Sequence, residues 1–241
     1  MTHVETRDNC LNRINSRGKP EPMAANLSQL LVVVAPLPKP DLFLIDHYLC
    51  AAELLGCHVE IVLNKTDLTT DTDVSKVLDE YRQLGYPVIE TTAIGRTGVE
   101  PLRAALSRHV SVLVGQSGVG KSSLINALIQ DANVAVGDLS SVTEEGRHTT
   151  SAAIMYELDP DCFLVDSPGV REYVPFIEDP ASVANGFREI GNLEIKCRFA
   201  NCQHSHEPDC AVKIAVDAGR ITARRFESYR RLLQTIDNHS A

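Results

Sequence analysis

The chain has 241 residues, 44% of them hydrophobic and 23% charged, with a formal net charge of −9. That length suits one α/β domain of about 150 residues with a smaller appendage. The acidic balance excludes a protein that coats nucleic acid over its whole surface, and the apolar runs fall far short of the ~20 residues that cross a bilayer. With no hydrophobic signal core at the start, a cytoplasmic protein without membrane contact is expected.

Residues 1–26 are rich in Arg, Asn, Gly and Pro and poor in apolar side chains, which predicts an extended or poorly ordered lead-in with no core of its own. Residues 30–35 (LLVVVA) predict a buried strand, residues 41–55 a helix, and residues 59–63 a second strand ending at Asn64. A helix over 73–84 closed by Gly85, a strand over 88–91, a helix over 99–109 and a strand over 110–114 follow. Residues 123–129 (SLINALI) open another helix, and residues 151–158 and 162–165 supply two more strands. This alternation implies an α/β fold with a doubly wound, mostly parallel sheet. From about residue 172 the pattern turns irregular and then helical over 208–219 and 221–236. The expected organisation is a lead-in (1–26), an α/β domain (27–175) and a small helical domain (176–241).

The strand over 110–114 runs into Gly115-Gln116-Ser117-Gly118-Val119-Gly120-Lys121-Ser122, a match to the phosphate loop G-x-x-x-x-G-K-[ST]. Its glycines let backbone N–H groups, through Ser123, turn toward phosphate oxygens at a positive helix end. Lys121 is expected on the β and γ phosphates and Ser122 on their magnesium ion. Asn64-Lys65-Thr66-Asp67 has the form N-K-x-D at a strand end. The Asp67 carboxylate can accept from the ring N–H and exocyclic amine of guanine, a donor pair that adenine lacks. The Lys65 stem would lie along the base, Asn64 would tie this loop to the phosphate loop, and Thr92-Ala93 would offer a backbone N–H to the guanine carbonyl.

Asp166-Ser167-Pro168-Gly169 fits D-x-x-G, with Asp166 on the magnesium side and the Gly169 N–H toward the γ-phosphate. Between the two magnesium motifs lies Glu145-Gly146-Arg147-His148-Thr149-Thr150. Thr149 or Thr150 is expected to complete the metal shell, and the residues do not decide between them. Val170 stands where a water-orienting glutamine would serve, so intrinsic hydrolysis is expected to be slow, with His148 a candidate to position water.

Seven cysteines, an odd number, include a cluster, Cys197-x₄-Cys202-x-His204-x₅-Cys210, whose three thiolates and one imidazole suit a closed tetrahedral zinc site. His206 competes with His204 for the fourth position. From Lys196 onward eight Lys/Arg face five Asp/Glu, a local +3 on a body that carries −12. The helix over 221–236 and its approach hold Arg220, Arg224, Arg225, Arg230 and Arg231, either a solvated face or an RNA contact.

The order of these motifs, base loop before phosphate loop, is the reverse of Ras-like GTPases. Together with Ala24-Ala25-Asn26, the Gly-Arg-His-Thr-Thr segment, Asp-Ser-Pro-Gly-Val and the Cys/His cluster, it resembles the RsgA (YjeQ/YloQ) family of circularly permuted GTPases. The resemblance implies a GTP/GDP site with Mg²⁺, one structural Zn²⁺ on Cys197, Cys202, His204 and Cys210, and a monomer. It further implies hydrolysis stimulated by the small ribosomal subunit and its rRNA during late maturation. A GTP-gated RNA-binding factor with little turnover is the alternative. Family members begin with an OB-fold barrel of about a hundred residues, and residues 8–22 look like the tail of one.

Overall fold

The computed structural model describes residues 6–15, 17–68, 74–131, 154–166, 175–193 and 197–240. Its centre is a six-stranded sheet built from β3 (Gln29–Val34), β4 (His58–Leu63), β5 (Val88–Glu90), β6 (Val110–Val114), β7 (Ile154–Asp159) and β8 (Cys162–Asp166). The spatial order is β5-β4-β3-β6-β8-β7, with every pairing parallel except β7 on β8. Alternation along β3 divides the core as strand geometry requires. Leu30, Val32 and Val34 pack with Tyr48 and Leu49 of α1 (Leu42–Leu55) and with Leu78 and Tyr81 of α2 (Val74–Gln83). Leu31 and Val33 pack instead with Leu102 and Leu106 of α3 (Val99–Leu106) and with Leu124 and Leu128 of α4 (Lys121–Asp131). Helices cover both faces, so the sheet is doubly wound.

Local signals set the helix ends. The Asp41 carboxylate accepts from the Phe43 and Leu44 N–H groups at the start of α1, and left-handed Gly56 closes it. The helix predicted to reach residue 109 stops at Leu106, because Arg108 takes a φ of 62° and the chain turns into β6. The helix predicted over 208–219 is shorter, α6 (Ala211–Asp217), since Asp209 is left-handed (φ 54°) and Cys210 caps it.

The opening segment corrects the expectation of a poorly ordered lead-in, although it still has no core of its own. β1 (Cys10–Ile14) and β2 (Pro20–Ala25) form an antiparallel hairpin, and Leu11 and Met23 are buried in the α1 side of the core. Asn9 accepts from the Leu27 N–H and donates to its carbonyl, fixing the hairpin to the start of β3.

At the other end a 3₁₀ segment (Pro180–Gly186), α5 (Arg188–Gly191), α6 and α7 (Ala223–Ser240) build a third apolar cluster around Phe187, Tyr229 and Leu232. Cys50 of α1 belongs to it, so this core is shared with the α/β body. The arginine stripe read from the sequence is corrected here. Arg225 is 1% exposed and donates to Asp46 at 2.7 Å and to both carboxylate oxygens of Glu189 at 2.6 and 3.0 Å. Arg224 binds Asp46 at 2.7 Å and also Glu80. Tyr81 donates its hydroxyl to Asp46 at 2.7 Å. These two arginines therefore join helices instead of facing a partner. Arg230 and Arg231 pair with Glu227 on their own helix, while Arg220 is exposed.

Beside Asp46, His47 is buried against Phe43, with ring centroids 4.0 Å apart and no hydrogen-bond partner for Nε2. Burial, partly offset by Asp46 and Asp41, pushes its pKa down from 6.5 to about 4. A depressed histidine contributes stability that is complete above 6.5 and lost as pH falls toward 4. Melting temperature is expected to fall across that window, by an amount corresponding to about 3 kcal/mol at most. His47→Gln should flatten the slope in a melting series from pH 7 to pH 4.

Candidate nucleotide site and metal cluster

The functional residues gather at the carboxyl ends of β4, β3, β6 and β8, the edge where open α/β sheets bind ligands at the point where the strand order reverses. β6 feeds residues 115–120 and α4 begins at Lys121, so the loop caps a helix N-terminus. Two glycines are required by contact. A Cβ on Gly115 would lie 2.3 Å from Val33 O, and one on Gly120 would lie 2.3 Å from Asn64 Nδ2. The Lys121 ammonium is held at the loop, donating to Gly115 O at 2.6 Å and Gln116 O at 2.8 Å. Ser117, Gly118, Ser122 and Ser123 are exposed, whereas Val119 is buried in the core.

The loop after β4 folds onto this one. Asn64, buried, donates through Nδ2 to Val119 O at 2.9 Å. Lys65, left-handed at φ 60°, donates through Nζ to Gly118 O at 2.6 Å and to Leu37 O at 3.1 Å. Asp67 is exposed, and its carboxylate accepts a 2.5 Å hydrogen bond from the Thr92 hydroxyl. The Thr92 N–H is committed to Thr97 O at 2.9 Å, which leaves the N–H of Ala93 in this turn. Sequence reasoning had offered the Thr92-Ala93 pair as backbone donors and missed the Thr92 side chain as a support for Asp67. The two residues are 25 apart in the chain, so no local signal joined them. Asp166 ends β8, the strand paired with β6, and is half-buried. His148, Thr149, Thr150 and Gly169 lie outside the described residues.

The second cluster is in the C-terminal part. The Sγ atoms of Cys197, Cys202 and Cys210 each lie 3.4 Å from His204 Nδ1, and Cys197 and Cys210 sulfurs are 3.9 Å apart. All four ligand atoms fall within 4.8 Å of one another, and none of the seven cysteines forms a disulfide. Tetrahedral zinc, from its ordinary bond lengths, needs about 3.6 Å between S and N and about 3.8 Å between sulfurs. The donor set and its spacing therefore fit that ion, and His204 is the histidine grouped with the three sulfurs. The loop is held independently by Glu207, whose carboxylate accepts from the Gln203, Ser205 and His206 N–H groups. Those bonds, led by Gln203, draw its pKa down to about 2.

A phosphate loop joined side chain to carbonyl with an N-K-x-D loop on one parallel sheet defines a nucleotide-binding protein of the P-loop class. A family model described as RsgA GTPase matches residues 4–174, and the chain belongs to that family. Its relatives include the small ribosomal subunit biogenesis GTPases RsgA of Alcanivorax borkumensis and Pseudomonas aeruginosa. The first is 44% identical over 97% of this chain and 67% of its own length, the second 44% identical over 94% and 68%. Among solved structures, YjeQ from Thermotoga maritima superposes with a TM-score of 0.74 at 31% identity, covering 97% of this chain and 77% of that one. YloQ, described as a circularly permuted GTPase, gives 0.72 at 25% identity, with 98% and 74% covered. The permuted motif order is thus a property of the fold, and the chain is a GTP hydrolase by family. No helix among the described residues is long and apolar enough to cross a membrane.

Proposed function

We propose that this GTPase acts in the cytoplasm, as a monomer, in late maturation of the small ribosomal subunit, with hydrolysis stimulated by that subunit and its rRNA. The observation that carries the site assignment is the pair of hydrogen bonds from Asn64 to Val119 O and from Lys65 to Gly118 O. They hold the base loop against the phosphate loop, which supports reading the two as one site. Asp67, steadied by Thr92, would accept from the two guanine donors, the Ala93 N–H would meet the guanine carbonyl, and the Lys65 stem would lie along the ring. Residues 115–123 would wrap the phosphates with backbone N–H groups.

Ser122 and Asp166 offer hard oxygen donors, the chemistry magnesium selects, and would hold it where it neutralises phosphate charge. Thr149, Thr150, Gly169 and His148 keep the roles expected from the sequence. Zinc on Cys197, Cys202, His204 and Cys210 would staple the C-terminal loop, since all four positions are filled by protein.

Phosphate release with and without purified small subunits tests the function. Strong stimulation with GTP and none with ATP is expected. A GTP rate unchanged by subunits would favour a nucleotide-gated RNA-binding factor that barely turns over. Lys121→Ala removes the charge-assisted contacts to the phosphates and should weaken fluorescent GDP binding by about 100-fold in an equilibrium titration.

A further inference from the structure

Strand order places β3 between β4, which ends in the base loop, and β6, which feeds the phosphate loop. The connection leaving β3, residues 35–41 (APLPKPD), must therefore pass between the two loops. Prolines occupy alternate positions 36, 38 and 40. Each fixes φ near −65° and carries no N–H, so the segment has little conformational freedom to lose.

Its contacts reach both sides. The Leu37 carbonyl accepts from Lys65 Nζ at 3.1 Å, and the same ammonium donates to Gly118 O at 2.6 Å. The Pro38 ring faces Gly118 across the width of a methyl group, since only a Cβ added to Gly118 would come within 3.6 Å of Pro38 Cδ. The Asp41 N–H donates to Gln116 Oε1 at 3.3 Å, and the Asp41 carboxylate anchors the far end by capping α1. The segment bonds directly to the base loop at Lys65 and to the phosphate loop at Gln116, and reaches Gly118 through the Lys65 ammonium.

We propose that residues 36–41 form a rigid strap that positions Lys65 and the phosphate loop for the bound guanine nucleotide, with Pro38 as its positioning residue. This rests on the guanine-nucleotide reading of the site. A lysine stem is flexible and would otherwise be frozen at each binding event. Tethering its ammonium between two carbonyls, one of them on a proline-stiffened segment, fixes the stem during folding. The consequence falls on nucleotide residence time, because preorganisation acts mostly through the dissociation rate. Guanine selectivity, which depends on Asp67 and Thr92, is untouched by the strap.

The test is stopped-flow release of fluorescent GDP from the whole chain, comparing the parent with Pro38→Gly, Pro38→Ala, Lys65→Met and the double variant Pro38→Gly/Lys65→Met. Pro38→Gly is expected to release GDP about tenfold faster with guanine-over-adenine preference unchanged. Pro38→Ala also removes the ring and its fixed φ, and is expected to release GDP faster than the parent as well. In the Lys65→Met background the effect of Pro38→Gly should shrink to less than about twofold, the coupling that a merely structural role would not produce. Release at the parental rate in Pro38→Gly, or a tenfold effect undiminished by Lys65→Met, overturns the proposal. A parent that holds no GDP would remove the nucleotide reading itself, a distinct result.

Discussion

The chain carrying Cys202→Ala is expected to purify without zinc, where the parent carries about one equivalent, and to melt its C-terminal helices before the α/β body. The reasoning starts from the three sulfurs grouped around His204 Nδ1. Without a metal this loop buries little, and structural zinc in isolated zinc peptides contributes about 10 kcal/mol or more of apparent binding free energy to folding. Cys210 lies within the apolar cluster of Phe187, Tyr229 and Leu232, and the Tyr229 hydroxyl donates to Gln203 O at 3.0 Å. Loss of the metal should therefore propagate into α7. Metal analysis with calorimetry reads both effects, and a variant that keeps one equivalent of zinc would contradict the ligand assignment.

The second large effect is expected at the joint between body and C-terminal helices. Asp46 is fully buried and accepts from Arg224, Arg225 and Tyr81. Burial alone would lower the Arg225 pKa, but Asp46 and Glu189 outweigh it and raise it, so the guanidinium stays charged inside. Removing one partner of such a pair strands the other charge, and Asp46→Ala should cost about 3–5 kcal/mol in denaturant unfolding. Because desolvation nearly cancels the attraction of a buried pair, the triple variant Asp46→Leu/Arg225→Met/Glu189→Leu, which also removes the carboxylate that loss of Arg225 would strand, should recover much of that loss. A triple variant as unstable as the single would show that the network contributes adhesion and more than fixed registry.

The sheet and the nucleotide loops were legible because each is written locally. The run over 30–35 is apolar on both faces, as a central parallel strand must be, and the glycines of 115–120 sit where backbone and Asn64 crowd them. Less legible was whatever depends on distant partners. Arg224 and Arg225 read as a solvated face or an RNA contact because their acceptors Asp46 and Glu80 are about 140 to 180 residues away in sequence, and even Glu189, which takes Arg225, is 36 away. The hairpin over β1 and β2 was missed because single apolar residues, Leu11 and Met23, carry its burial amid polar neighbours. The strap over 36–41 shows only prolines, and its meaning comes from the position of β3 between two loops.

Competition of unlabelled GTP and ATP against fluorescent GDP, on the parent and on Asp67→Asn, examines the single pocket most directly. The parent should prefer guanine by a factor of about 10⁴ or more, and Asp67→Asn should lose most of that preference while still answering to the triphosphate. Tight, guanine-selective binding retained in Asp67→Asn would show that the loop after β4 does not read the base.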